Sequence, residues 1–235
     1  MRESFFMQWI EQFQFFLFDF DGVLVDTEPL HYEAYAQMCQ KRGIPWTWSF
    51  EQYCKEAHGQ AQGIKKALYA QCPDLLQQGP AWEVLAGEKK EIYTDFLSKR
   101  PLKLMPGVED VLCALERNHS PRCVVTNSSS GDVEKIKNLL PVLQSIPHWI
   151  TRKDYEHPKP SPEGYRKAIA HYASPEWKMI GFEDTYKGFL ALSQTPAYPV
   201  LICPAFRDHI STCCALGGEH FESFEKMNDG IKKSR

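Results

Sequence analysis

Two aspartates near the start of the chain have the spacing of a catalytic pair. Asp19 and Asp21 lie in the string FDFDGVLVDTE, directly after a short apolar run, and Gly22 permits a tight turn there. One carboxylate can act as a nucleophile while the other exchanges a proton with a leaving oxygen. This division of roles is what covalent phosphoryl transfer requires, and a surface Asp-Gly turn is the alternative interpretation.

Three further groups could complete a phosphoryl-transfer site. Thr126 and Asn127 follow a second apolar run, where a hydroxyl and consecutive amides can hold a phosphate oxygen. Lys159 lies between two prolines, and its ammonium would offset phosphoryl charge. Glu183 and Asp184 follow another apolar run, where a magnesium ion would offset the cost of burying them. Taken singly, these groups are also typical of a helix cap, a solvated lysine and a surface turn.

The apolar runs that precede these groups predict buried strands. They are Phe15–Phe20, Arg122–Thr126, Ile146–Ile150, Lys178–Phe182 and Tyr198–Cys203. From Gly107 onward they alternate with helical patterns, which predicts an α/β fold: a Rossmann-like parallel sheet flanked by helices. Since such sheets bind ligands at the carboxyl ends of their strands, we expect all four groups to converge at one edge.

The stretch from residue 29 to residue 100 has helical periodicity and no convincing strand. It is too long for a simple crossover between strands. One segment, residues 81–100, places Trp82, Leu85, Ile92 and Phe96 near one helical face. We therefore expect an all-helical cap domain over residues 29–100, inserted into a core domain formed by residues 1–28 and 101–235.

Composition excludes several partners. The 235 residues are 43% hydrophobic with a formal net charge of -3, which offers no basic surface for nucleic acid. No run approaches the roughly 18 apolar residues of a membrane-spanning helix. The eight cysteines show no CxxC pair and no matching histidine spacing, so neither a zinc site nor a disulfide framework is expected. Reduced thiols favour a cytoplasmic protein, and no pattern selects an oligomeric state.

In combination, the four groups resemble the motifs of the haloacid dehalogenase superfamily, specifically its beta-phosphoglucomutase-like branch. FDFDGVLVDTE is similar to the first motif of that family, and TNSS at residues 126–129 to the second. Lys159 in PKPSP resembles the third motif, and FEDT at residues 182–185 the fourth. The order and approximate spacing of the motifs also match, over nearly the whole chain.

The resemblance implies a role for each residue. Asp19 would be the nucleophile and Asp21 the general acid and base, while Thr126, Asn127 and Lys159 would bind phosphate. A core sheet of five strands is implied as well, with a cap that closes over the substrate.

The resemblance also implies a Mg²⁺ cofactor. Its ligands would be the Asp19 carboxylate, the Asp21 backbone carbonyl, Glu183 and Asp184.

The favoured hypothesis is a magnesium-dependent phosphatase that hydrolyses a small phosphorylated metabolite through an aspartyl phosphate. A sugar-phosphate mutase is the alternative, since mutases of the branch resemble this chain at Thr27 and His31. The cap loop AHGQAQGIKKAL, however, lacks the arginine with which those mutases grip substrate. A non-catalytic phospho-ligand binding protein is a third possibility, and dehalogenation fits less well because dehalogenases lack Asp21. Substrate choice is assigned to cap residues, and the candidates are Thr27, His31, His58, Gln60 and Lys65.

Overall fold

A computed structural model describes residues 8–59, 62–229 and 231. The described residues form two compact units, one from residues up to Asp26 together with Lys103 onward, the other from Thr27 to Leu102. Where the chain leaves the first unit and returns to it, the Asp26 N–H donates to the Lys103 carbonyl at 2.9 Å. Unit 2 is therefore an insertion between two neighbouring segments of unit 1.

The first unit is built on a parallel sheet. Its strands are β1 (Phe15–Phe18), β2 (Arg122–Val125), β3 (His148–Ile150), β4 (Met179–Glu183), β5 (Tyr198–Ile202) and β6 (Glu219–Phe221). Every pairing is parallel, and the strands lie in the order β3-β2-β1-β4-β5-β6. The prediction of a Rossmann-like parallel sheet is thus confirmed.

The expected number of strands was wrong, because the sheet has six strands among the described residues. The additional strand, β6, is the three-residue segment Glu219–Phe221 at the edge of the sheet, paired with β5. All three of its side chains are only partly buried. Such a segment carries no apolar run, so periodicity gives no signal for it.

Helices cover the sheet and make up the inserted unit. In unit 1 they are α6 (Val108–Arg117), α7 (Ser130–Leu139), α8 (Glu163–Tyr172), α9 (Tyr186–Ser193) and α10 (Ile210–Ala215). In unit 2 they are α1 (Glu28–Lys41), α2 (Phe50–Gly59), α3 (Gly63–Gln71), α4 (Pro73–Gln78) and α5 (Trp82–Lys99). Short 3₁₀ helices occur at Ile10–Gln12, Pro141–Ser145, Arg152–Asp154 and Phe224–Asp229. No helix within the described ranges combines the length and hydropathy that crossing a membrane demands.

The central strand β1 is buried on both faces, as the sequence of four apolar residues requires. Phe15 and Leu17 pack in a cluster that includes Tyr165 of α8 and Leu192 of α9. Alternate residues point to the opposite face, where the Phe18 ring stacks on Phe182 at 5.1 Å between centroids. A strand buried in this way holds its carboxyl end, and the residue that follows, in a fixed position.

The described residues of the inserted unit form helices and connecting segments, with no strand among them. Helix α5 buries Leu85, Ile92 and Phe96, three of the four residues expected on its apolar face, while Trp82 is partly exposed. Ion pairs join α1 to α5 at both ends, Arg42 with Glu88 and Arg100 with Glu33, so the two helices run antiparallel. Tyr53, Cys54 and Ile64 form a second cluster, surrounded by partly buried aromatic side chains.

Candidate active site

The loop after β1 presents both aspartates at the carboxyl end of the sheet. The Asp19 N–H still donates to the Phe182 carbonyl of β4 at 2.9 Å, so its backbone continues the ladder. One turn follows, closed by the Leu24 N–H on the Phe20 carbonyl at 2.9 Å, with Gly22 at φ +76°. A Cβ on Gly22 would come within 2.2 Å of Asp184 Oδ2, so only glycine fits here.

Lys159 lies at the centre of the site. Its Nζ donates to Asp19 Oδ1 at 2.7 Å and to the Val125 carbonyl at 2.8 Å, and lies 2.6 Å from Glu183 Oε1. The ammonium also lies 4.9 Å from the centre of the Tyr165 ring. Only 8% of Lys159 is exposed, so the alternative interpretation of this residue as a solvated lysine does not apply. Burial opposes its charge, but Asp19 and Glu183 outweigh that effect and raise the pKa of Lys159.

Glu183 is the last residue of β4 and is fully buried. The Tyr165 hydroxyl donates to Glu183 Oε1, while Oε2 has no hydrogen-bond partner among the described residues. Gly188, in the first turn of α9, leaves room for this carboxyl, because a Cβ there would lie 2.0 Å from Oε2. Burial and the neighbouring Asp19 carboxylate raise the pKa of Glu183 to about 8, although Lys159 and Tyr165 act in the opposite direction.

The loop after β2 holds the hydroxyl groups of the site. Thr126 is buried, and its Oγ1 accepts from the Ser128 N–H at 3.0 Å. The Ser128 hydroxyl donates to Asp21 Oδ2, which links this loop to the loop after β1. The role of helix N-cap falls to Ser129, whose side chain accepts from the Asp132 N–H at 3.3 Å. Thr126 is therefore available for a different function.

Asn127 connects the phosphate-binding candidates to each other. Its Oδ1 accepts from the Lys159 backbone N–H at 3.2 Å, and the Tyr155 hydroxyl lies 2.7 Å from the same oxygen. The Tyr155 hydroxyl is also 2.7 Å from the Thr126 carbonyl. These bonds make Asn127 a positioning residue for the Lys159 loop.

The acidic side chains could hold a divalent cation. One oxygen from each of Asp19, Glu183 and Asp184 lies within 4.8 Å of the other two, and all three residues are buried. When all three carboxylates are ionised, the single positive charge of Lys159 neutralises only one of them. Two negative charges remain, which a divalent cation would neutralise. Glu183 Oε2 accepts no hydrogen bond from the part of the chain that the structure describes, and it offers a ligand atom of the type that hard cations prefer.

Several residues that shape this site are not indicated by any pattern in the sequence. Tyr155 and Tyr165 position groups from outside the four motifs, and His209 lies with Nε2 3.0 Å from the Asp184 carbonyl. Ser128, by contrast, stands inside the TNSS motif, so its motif could have indicated it. The tyrosines and the histidine have no such signal, since their contacts are made only in the tertiary fold.

The candidate specificity residues lie in unit 2. Thr27 is buried before α1, and Lys65 is partly buried on α3. His31 stacks on the Tyr93 ring at 4.0 Å, and its Nδ1 lies 2.5 Å from Lys89 Nζ.

His58 and Gln60 follow each other closely along the chain. His58 is buried and pairs with Glu28, 3.1 Å between Nε2 and Oε2. Gln60 falls outside the described residues.

Comparison with known proteins places the chain in a family. The profile of the haloacid dehalogenase-like hydrolases matches residues 13–194, and the chain therefore belongs to that family. The family resemblance and the prediction of a hydrolase enzyme are thus confirmed.

Similar proteins include both curated sequences and solved structures. Protein CbbY of Cereibacter sphaeroides is 27% identical over 183 residues, covering 74% of this chain and 77% of CbbY. A phosphorylated carbohydrates phosphatase of Thermotoga maritima is 25% identical, covering 73% of this chain and 76% of the phosphatase. A crystal structure of CbbY from Rhodobacter sphaeroides in complex with xylulose-(1,5)bisphosphate gives a TM-score of 0.70 at 21% identity, covering 92% and 96% of the two chains. At that identity the structure supports the fold alone.

The tight packing of Glu183 against Gly188 predicts that alanine substitutions at two glycines, each in the first turn of a helix, will change the free energy of unfolding differently. Gly188→Ala should destabilise the protein by about 1–3 kcal/mol, because Tyr165 and Lys159 prevent Glu183 from moving away from the new methyl group. Gly131→Ala is the matched control, since no atom lies within 4 Å of its added Cβ. It should be neutral or stabilising by roughly 0.4–1 kcal/mol. Urea unfolding of both variants provides the measurement, and equal midpoints would contradict the expectation.

The hydrogen bonds that Glu163 accepts near the Lys159 loop predict that the free energy of unfolding depends on pH. Backbone N–H groups of Glu156 and His157 donate to its carboxylate, both at 2.8 Å, and these bonds together with the His157 side chain lower the pKa of Glu163 to about 2. A lowered pKa in the folded state stabilises the fold above the ordinary value of 4.5, and this contribution is lost as pH falls from there toward about 2. The stability gap between the wild type and Glu163→Gln should therefore close over that interval. Exposed Glu222→Gln is the control, and a gap that stays constant with pH would contradict the assignment.

Proposed function

We propose that this protein is a magnesium-dependent phosphatase that hydrolyses a small phosphorylated metabolite, a sugar phosphate or a similar phosphomonoester, through an aspartyl phosphate on Asp19. The observation that carries the proposal is the contact of Asp19 Oδ1 with Lys159 Nζ at 2.7 Å beside Glu183 and Asp184. A carboxylate, an ammonium and an acidic pair from three separate segments meet at one edge of the sheet. The phosphatase named among the relatives supports this class of substrate.

Asp19 is suited to nucleophilic attack because its position is fixed. Its backbone is bonded to β4, and its Oδ1 is held by Lys159, so a carboxylate oxygen can be directed at a phosphorus atom in one orientation. Attack forms a bond from the Asp19 carboxylate to phosphorus and breaks the bond from phosphorus to the substrate oxygen. Phosphoryl oxygens would be held by the Lys159 ammonium and the Thr126 hydroxyl, which accepts from Ser128 and keeps its own hydrogen for donation.

Asp21 is suited to proton transfer. The Ser128 hydroxyl orients its carboxyl group by donating to Oδ2. Protonated Asp21 gives its proton to the departing substrate oxygen, and the carboxylate then takes a proton from the water that attacks the aspartyl phosphate. This second step releases inorganic phosphate and restores Asp19.

Magnesium fits the residues present. Asp19, Glu183 and Asp184 would supply carboxylate oxygens and Asp21 its backbone carbonyl, a set of hard oxygen donors. When bound, the ion would neutralise charge on the transferring phosphoryl group. Lys159 remains the fixed counter-charge to Asp19 and Glu183 in either state.

Variants of the two aspartates test this mechanism. Asp19→Asn should abolish phosphate release from an aryl phosphate, since no nucleophile remains, and Asp21→Asn should lower the rate by roughly 10²–10⁴-fold. Exposed Asp110→Asn is the control and should keep the wild-type rate. Chelation of divalent ions should stop the reaction and magnesium should restore it. Turnover that persists in Asp19→Asn or in chelator would remove the mechanism.

Mutase activity is the second candidate, and the surroundings of His31 favour it. The contact of its Nδ1 with Lys89 adds a cation in unit 2 that could hold a second anionic group of a substrate. Incubation with beta-glucose 1-phosphate and a bisphosphate primer separates the two reactions. We expect free phosphate and no glucose 6-phosphate. Formation of the 6-phosphate would make the protein a mutase, and binding of metabolites without turnover would make it a phospho-ligand binding protein.

A further inference from the structure

Three potential metal ligands of different chemistry meet inside the helical unit. Cys54 and His58 lie on α2 four residues apart, so their side chains share one face of that helix. Glu28 is the first residue of α1 and faces them, with Oε2 3.1 Å from His58 Nε2. The thiol sulfur, one imidazole nitrogen and one carboxylate oxygen all lie within 4.8 Å of one another.

The donor set favours a particular class of cation. Sulfur and imidazole nitrogen bind zinc and similar transition metals, whereas magnesium prefers oxygen donors alone. Cys54 is fully buried and only 5% of His58 is exposed, so packing holds both side chains in place before any metal binds. This cluster therefore differs in chemistry from the all-oxygen set of Asp19, Glu183 and Asp184.

The electrostatics of the cluster suit a cation. Burial alone would raise the pKa of Glu28, but His58 beside it reverses the effect and keeps the pKa well below its ordinary range. The carboxylate is thus negative at neutral pH and stabilises positive charge on its neighbour. The geometry points the same way, because Glu28 Oε2 already lies 3.1 Å from His58 Nε2.

We propose that Glu28, Cys54 and His58 form a three-ligand site for a zinc-class divalent cation, separate from the acidic cluster of the core unit. Zinc bound by three protein ligands keeps a fourth position for water or another small ligand. The proposal departs from our expectation from the sequence that no zinc site is present. That expectation rested on the absence of a CxxC pair and of a matching histidine spacing, whereas the third ligand here, Glu28, lies far from Cys54 and His58 in the sequence.

Cobalt is the probe, because a thiolate bound to Co²⁺ gives a charge-transfer absorption that oxygen and nitrogen ligands do not give. The metal-free full chain is used, with the exposed thiols removed by Cys113→Ser and Cys214→Ser. We expect one equivalent of Co²⁺ to bind with this absorption and Zn²⁺ to displace it. The absorption should persist in Asp19→Asn, so the result does not depend on the phosphatase site.

Variants assign the absorption to individual ligands. Cys54→Ser should abolish it, while Cys72→Ser, at a partly buried thiol in the same unit, should leave it unchanged. Loss of a residue that only orients a metal ligand weakens metal binding by roughly 10–100-fold. His58→Gln should weaken Zn²⁺ binding by more than this, because it removes a ligand. Thermal unfolding checks that each variant is folded. If Cys54→Ser does not fold, His58→Gln and Glu28→Gln decide the question.

Three outcomes would overturn the proposal. The first is a parent chain that binds Co²⁺ without the thiolate absorption, or does not bind it. The second is an absorption that survives in folded Cys54→Ser, which would place the metal on another cysteine. The third is Zn²⁺ affinity equal to the parent in both His58→Gln and Glu28→Gln, in which case Glu28 and His58 form an ion pair and no more.

Discussion

The candidate active site depends on one buried ammonium. When all three are ionised, Asp19, Glu183 and Asp184 carry like charges in a space that excludes most water, and that arrangement is stable only when cations balance it. Lys159 supplies part of that balance by pairing with Asp19 and Glu183, and its ammonium also lies over the Tyr165 ring. The bonds of Asn127 and Glu163 to this loop then serve one purpose, which is to keep the ammonium between the acids.

The sequence predicts those parts of the site in which a polar residue follows an apolar run. Asp19 directly follows β1, Thr126 directly follows β2, and Glu183 is the last residue of β4. The parallel arrangement brings these three residues to the same edge. The sequence could not predict β6, because a short and half-exposed edge strand needs no apolar pattern. Tyr165 and His209 were also missed, since a contact that exists only in the tertiary fold leaves no periodic trace.

In the inserted unit, the sequence predicts even less of the contacts that its residues make. Cys54 reads from the sequence as an ordinary core residue, which it also is. His58 was expected as a specificity residue, yet it is buried and paired with Glu28. Spacing along a helix identifies which side chains share a face, but the element that packs against that face determines their chemistry.

The pairing of β1 with β4 has a consequence for synthesis on the ribosome. Asp19 is synthesised well before Glu183 and Asp184, which stand on a strand that pairs with β1. Until β4 joins the sheet, Asp19 and Asp21 lack the two acidic residues that would help them to hold a cation. Under the proposed mechanism, competence for phosphoryl transfer therefore waits for β4, and a chain released before β4 is made would be inert rather than partly active.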